Sequence, residues 1–214
     1  MQDIQKIVLS IVPLLFAIII HEVSHGWVAE KLGDPTARML GRITLNPISH
    51  IDPIGSIILP GILLLTGSPY LFGWAKPVPV NFGNLRGGRR DMALVALSGP
   101  LTNFLLAVLS SIIFHLTFGG FPGSAGVWGR IIVPVHLMAK YSVMVNLVLM
   151  AINLLPILPL DGGRIVAGLA PEHIGIAMER IERYGMLIVL LLIASGIWSY
   201  VVTPVIYLFW RILM

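Results

Sequence analysis

Apolar positions gather into long runs along this chain, and the polar residues between them cluster in short connecting stretches. The first run, residues 7–29, is long enough for a helix to cross a bilayer, which takes about 20 residues. Pro13 marks a point where that helix can kink, and Lys31, Gly33 and Pro35 end it. Gly41-Arg42-Ile43-Thr44-Leu45-Asn46-Pro47 alternates briefly and predicts a strand. Ile54 to Leu65 is apolar but too short to span, broken by Pro60 and Gly61, and reads as a re-entrant segment. In Gly73-Trp74-Ala75-Lys76-Pro77-Val78-Pro79-Val80-Asn81, proline alternating with valine forbids helix and favours an extended edge. A long helix is expected over 92–118, a glycine-rich turn over 119–126 and another long helix over 130–155. A short helix follows Asp161, residues 171–183 form a charged amphipathic stretch, and 186–214 is either one kinked span or two pieces divided near Gly196 and Pro204.

Composition turns these runs into a membrane protein. Of 214 residues, 57% are hydrophobic and 11% charged, against about 25% charged in a soluble domain. In this setting the net charge of +4 is read as topology and contact with anionic headgroups, not as nucleic-acid binding. Lys31, Arg38, Arg42, Lys76, Arg86, Arg89 and Arg90 all lie between the first two full spans. The positive-inside rule therefore puts 31–91 and 171–183 in the cytoplasm, with 54–65 entering and leaving on one side. There is no cysteine, which excludes disulfides and thiolate metal sites. The first apolar run is read as a retained span and not a signal peptide, and residues 1–214 as one membrane-embedded unit. Oligomeric state is left open.

The chemistry concentrates at Ile18-Ile19-Ile20-His21-Glu22-Val23-Ser24-His25-Gly26. Residues four apart share a helix face, so His21 and His25 can hold one zinc ion with Glu22 beside it. The alternative is a pair of histidines used only for helix packing, which suits an apolar helix end poorly because buried ionisable groups need partners. Catalytic zinc takes three protein ligands and leaves a position for water, so a third ligand is required. Asp3, His115, His136 and His173 fall at or beyond the expected membrane ends. Asp161 follows Asn153-Leu154-Leu155-Pro156-Ile157-Leu158-Pro159-Leu160 at the depth of His25. Spacing leaves it two roles, third ligand or N-cap of a 162–170 helix, and one carboxylate can do both. Gly162 and Gly163 would let its backbone approach another helix closely.

His21-Glu22-Val23-Ser24-His25 together with Leu160-Asp161-Gly162 resembles the site-2 protease family of intramembrane zinc metalloproteases. The likeness extends to Asn46-Pro47-Ile48-Ser49-His50-Ile51-Asp52-Pro53-Ile54-Gly55, to Gly73 through Val80, to Ser98-Gly99-Pro100-Leu101-Thr102-Asn103 and to Asn153-Leu154-Leu155-Pro156, so it covers most of residues 18–165. It implies one zinc on His21, His25 and Asp161, with Glu22 as general base. It also implies a compact prokaryotic member, without PDZ or CBS domains, in the cell membrane. The expected fold is all-α and polytopic: three transmembrane helices around the zinc, a re-entrant or β-hairpin insertion on the cytoplasmic side, and one or more C-terminal helices. The expected activity is cleavage of transmembrane segments of other membrane proteins in regulated proteolysis, with the site nearer the cytoplasmic face.

Around that centre several residues keep two readings. Asn153 is a candidate oxyanion donor, and Asn103 a weaker one that is also placed with the substrate-binding residues. For both, and for Asn146, the alternative is interhelical hydrogen bonding. Gly73, Trp74, Ala75, Lys76, Pro77, Val78, Pro79 and Val80 can take an unwound substrate by β-addition or plug the cytoplasmic mouth as a structural hairpin. His50 either orients a ligand or contacts substrate, or with Asp52 fixes a polar turn around Asn46-Pro47, and Lys140 either snorkels to an interface or marks a helix bend. A zinc-stapled scaffold and a metal transporter are the competing classes. The intact base at Glu22 argues against the first, and the lack of histidine-rich loops or repeated halves against the second.

Overall fold

The computed structural model describes residues 2–67, 73–117 and 127–214. The long apolar runs fold as helices: α1 (Gln2–Leu32), α4 (Arg89–Thr117) and α5 (Val127–Asn153), with the short α2 (Thr36–Met39) and α3 (Leu59–Leu65) between the first two. Among the described residues three helices are long and apolar enough to cross a membrane, over Leu9–Leu32, Arg89–Thr117 and Gly129–Asn153. α4 packs against α1 and α5 and also against α6 (Asp161–Leu169), which places it between the two segments that bear the candidate ligands. The chain then continues through α7 (Glu172–Ile181), α8 (Gly185–Ala194) and α9 (Ile197–Leu213). The turn expected over 119–126 lies outside the described residues.

The C-terminal stretch is two helices. Gly196 adopts φ +75° between α8 and α9, a left-handed conformation that glycine takes without steric cost. Pro204 sits inside α9 and does not divide it. α9 packs on α5, where Ile206, Phe209, Trp210 and Leu213 close over Val143, Leu147 and Met150.

The excursion between α1 and α4 starts and ends at the same place, because the Arg86 amide donates to the Leu32 carbonyl at 3.1 Å. Asp34 holds the return. Fully buried, it accepts from the Thr36 amide and hydroxyl, the Asn84 side-chain amide and the Asn81 backbone amide. Within the excursion, Pro53–Leu65 is one apolar helix with a π-helical first half. At about 1.5 Å per residue it is shorter than the bilayer core, as its length suggested.

Among the described residues there is no strand, so the one expected over 41–47 does not form and the β-hairpin form of the insertion is not seen. Asn46 accepts from the Ile48 amide and Pro47 occupies the first helical position, so Pro47–His50 closes into a 3₁₀ turn instead. Residues 73–81 form neither helix nor strand. Their amides are taken one by one, Trp74 by the Gly55 carbonyl, Lys76 by the His50 carbonyl and Val78 by Glu22. His50 is buried, its Nε2 on the Thr44 carbonyl at 2.8 Å, and Asp52 caps the Pro53 helix. Both serve the polar turns rather than the cleft.

Candidate metal centre and its cleft

α1 carries His21 and His25 on one face, and α4 passes directly over it at Gly99. A Cβ on Gly99 would stand 2.5 Å from His21 Cε1 and 2.6 Å from His25 Cε1 and Nε2, so only glycine allows the helices to approach this closely. At about 1.5 Å per residue, His25 lies about 10 Å along the axis from the end of α1 at Leu32, well inside the span.

α6 brings Asp161. It occupies the first helical position, Leu160 is the N-cap, and no side chain caps the helix. The capping role left open by spacing is therefore not used, and the carboxylate turns to the histidines. Gly162 and Gly163 do admit a close approach, but to the preceding loop: added Cβ atoms would meet the Leu154 carbonyl oxygen and the Leu158 amide nitrogen at 2.3 Å. That contact presses the start of α6 onto 154–158 and aims Asp161.

The three donors form a tight triangle. His21 Nε2 is 3.1 Å from His25 Nε2 and 3.2 Å from Asp161 Oδ2, and His25 Nε2 is 3.3 Å from Asp161 Oδ1. Zinc–nitrogen bonds of about 2.0–2.1 Å in a tetrahedron put neighbouring ligand atoms about 3.3 Å apart, so the spacing fits. The protons fit as well. His25 Nδ1 lies 2.8 Å from the Val95 carbonyl, which can only accept, so Nδ1 carries a proton and the neutral ring presents its lone pair at Nε2. His21 Nδ1 lies 2.6 Å from Asn103 Oδ1. Lone pairs on two imidazoles and a carboxylate converging in a buried site repel one another unless a cation lies among them. His21, His25 and Asp161 are also the group among the described residues whose geometry could hold a metal ion.

These residues open on a cavity of about 990 Å³ that is mostly apolar. Glu22 lines it beside the histidines, its Oε2 accepting from the Val78 amide at 2.8 Å. Gly26 lets Val78 press onto α1, since a Cβ there would lie 2.7 Å from the Val78 side chain. Asn153 also faces the cavity, its amide tied back to the Leu149 carbonyl. Trp74, Ala75, Pro77, Val78 and Val80 line it as well, whereas Gly73, Lys76 and Pro79 do not, and Arg42 clamps the strip by donating to the Lys76 and Pro77 carbonyls. Asn103 departs from its expected place. It is fully buried behind His21 and does not face the cavity, because α4 turns it toward α1 and α5.

The profile of peptidase family M50 matches residues 127–196. YwhC of Bacillus subtilis, provisionally named a zinc metalloprotease, is 36% identical over 204 residues, covering 91% of this chain and 84% of that protein. The chain belongs to peptidase family M50, the site-2 protease family. Rip2 of Mycolicibacterium smegmatis, also provisionally named a zinc metalloprotease, is 29% identical over 88% of this chain and 67% of its own length. Zinc metalloprotease MJ0392 of Methanocaldococcus jannaschii is 24% identical over 76% of this chain and 34% of its own length. No solved structure matches the chain. Family membership makes this M50 protein a zinc metalloendopeptidase, and its apolar helices make it a multi-pass membrane protein.

Sequence reasoning passed over part of this M50 centre. Gly99 stood only within the Ser98–Asn103 motif with no role of its own, and the Val95 carbonyl and the lining residues Leu59, Leu63, Arg164, Met186 and Leu190 had none. For α4 a signal exists: Val95, Gly99 and Asn103 recur every four residues, one helical face, matched on α1 by Ala17, His21 and His25. The other lining residues come from remote segments and carry no local mark.

Proposed function

We propose that the protein hydrolyses peptide bonds in transmembrane segments of other membrane proteins, at a site inside the bilayer nearer its cytoplasmic face. One observation carries this reading: the triangle of lone pairs on His21, His25 and Asp161 shares a mostly apolar cavity with Glu22, at membrane depth on α1. In this reading the three residues would hold one zinc ion, which would supply Lewis-acid activation of water at neutral pH. The Glu22 carboxylate would take a proton from the attacking water and return it to the leaving nitrogen. Asn153, on the cavity wall, donates to the oxyanion.

A transmembrane helix hides its peptide bonds in its own hydrogen bonds and must unwind before cleavage. The strip 73–80 receives the unwound backbone. The amides of Trp74, Lys76 and Val78 are already engaged, and Pro77 and Pro79 have none, so the substrate supplies the N–H groups. The Trp74, Lys76 and Pro77 carbonyls already accept from Ser56 and Arg42, each with one lone pair left to share. Arg42 keeps the strip in place. The basic residues of 31–91 put this mouth in the cytoplasm, and release of a membrane-held factor or clearance of peptide remnants is the expected use.

The test is Glu22→Gln in proteoliposomes with a helical membrane substrate. Cleavage should be lost while zinc is retained at one per chain. Cleavage at the wild-type rate would refute the assignment of the base, and zinc flux without peptidase activity would replace the reading with transport.

A further inference from the structure

The bundle buries two asparagines that the hydrolytic chemistry above does not use. Asn103 is 0% exposed and Asn146 1%. Together with Ser142 and Ser110 they form a hydrogen-bonded row running from His21 through α4 into α5. Asn103 Oδ1 lies 2.6 Å from His21 Nδ1, while its Nδ2 donates to Asn146 Oδ1 at 2.9 Å and the Ala17 carbonyl at 3.3 Å. Asn146 Nδ2 donates to the Ser142 carbonyl at 2.9 Å and meets Ser142 Oγ at 3.2 Å, and Ser110 Oγ lies 2.7 Å from Ser142 Oγ.

The direction of this row is set at its ends. The Ser142 and Ala17 carbonyls can only accept, so the NH₂ group of Asn146 must face Ser142 and that of Asn103 must face Ala17. Turning Asn146 over would set its oxygen against the Ser142 carbonyl and its NH₂ against that of Asn103. Turning Asn103 over would set its oxygen against both the Ala17 carbonyl and Asn146 Oδ1. Each flip leaves an acceptor facing an acceptor, or a donor facing a donor, among side chains that are almost wholly buried. Both amides are held in one orientation, and the one atom left to face His21 is Asn103 Oδ1, an acceptor. His21 must then carry its proton on Nδ1.

We propose that Asn103 and Asn146 are positioning residues that lock His21 as the Nδ1–H tautomer, so that Nε2 always presents its lone pair to the metal. The proposal rests on His21 being a zinc ligand. A neutral imidazole free in solution populates both tautomers, and the wrong one would point a proton at the metal site. His25 needs no such device, because the Val95 carbonyl fixes its tautomer directly. His21 has a side-chain amide instead, which by itself could turn over. Asn146, with the shorter of the two contacts to the Asn103 NH₂ group, joins the Ala17 carbonyl in removing that freedom, from a position outside the cavity lining.

The experiment uses the full chain in lipid nanodiscs with ¹⁵N-labelled histidine, before and after zinc is added. Metal-free wild type should show the His21 Nδ1 resonance protonated and Nε2 bare, with the same tautomer after zinc binds. Zinc affinity, measured by competition with a chelator, should fall 10–100-fold in Asn103→Leu, the range for lost outer partners of metal histidines. In Asn146→Leu it should fall several-fold, with a mixture of His21 tautomers in the metal-free protein. Ser110→Ala, which leaves both amides anchored, should bind zinc as wild type does. An Nε2–H tautomer in metal-free wild type would overturn the proposal without any variant having to fold. So would a folded Asn103→Leu that binds zinc within twofold of wild type. If His21→Ala binds zinc normally, the reading of the metal centre fails instead.

Discussion

Gly99→Ala adds one methyl group where α4 crosses the metal-binding face of α1. The new Cβ would lie 2.5 Å from His21 Cε1 and 2.6 Å from two atoms of the His25 ring, where ordinary contact begins at 3.4 Å. Relief requires a movement of about 0.9 Å by subtraction, and both rings are obstructed at once. His21 is held by Asn103 and His25 by Val95, while α4 is wedged between α1, α5 and α6, so neither side yields freely. Metal–ligand distances tolerate only about 0.2 Å. The expected outcome is a fall in zinc affinity of at least 10–100-fold, about 1.4–2.8 kcal/mol. Overpacking should also destabilise the fold by about 1–3 kcal/mol. Chelator competition reads the first effect and thermal unfolding in detergent the second. Gly61→Ala is the control, because nothing lies within 4 Å of a Cβ there. Zinc affinity within twofold of wild type in Gly99→Ala, with matched unfolding temperatures, would refute the argument that this crossing shapes the centre.

Other outcomes follow from the same geometry. Asp161→Ala should lower zinc occupancy and abolish cleavage, and unchanged metal content by mass spectrometry would remove Asp161 from the ligand set. Arg42→Ala, which frees the Lys76 and Pro77 carbonyls, should raise KM for a membrane substrate several-fold with kcat little changed; a loss confined to kcat would count against the strip as a substrate contact. Asp34 predicts an acid limb of stability. Burial alone would raise its pKa, but hydrogen bonds from Thr36, Asn84 and the Asn81 amide outweigh this and hold it below the usual carboxylate value. A depressed folded-state pKa gives stability that is complete above the unfolded value of about 3.9 and is lost as pH falls through the folded value. Asp34→Asn should therefore lower the unfolding temperature at pH 7 and flatten its decline between about pH 5 and pH 3. A variant curve parallel to wild type would show that Asp34 does not carry the limb.

Several features could be read from residues alone because their causes are local. Unbroken apolar runs require backbone hydrogen bonds satisfied within the segment, so α1, α4 and α5 were legible, as was the short Pro53–Leu65 helix. His21 and His25 share a face by helical periodicity, whatever surrounds them. The strand expected over 41–47 failed because Asn46 and Pro47 favour a capped turn, a preference that outweighs a short alternation. A β-hairpin was one of two forms expected for the insertion, and none is seen among the described residues, where the Trp74, Lys76 and Val78 amides go to loop carbonyls and Glu22. Packing alone decided the rest. Whether Asp161 capped a helix or faced the histidines depended on how Gly162 and Gly163 seat α6 on the preceding loop. Whether Asn103 faced substrate or stood behind His21 depended on the rotation of α4 against α1 and α5. Periodicity says which residues share a face, but not which helix that face meets. That choice is made by contacts between residues about 80 and 140 positions apart, such as His21 with Asn103 and with Asp161, and it exists only once the bundle has closed.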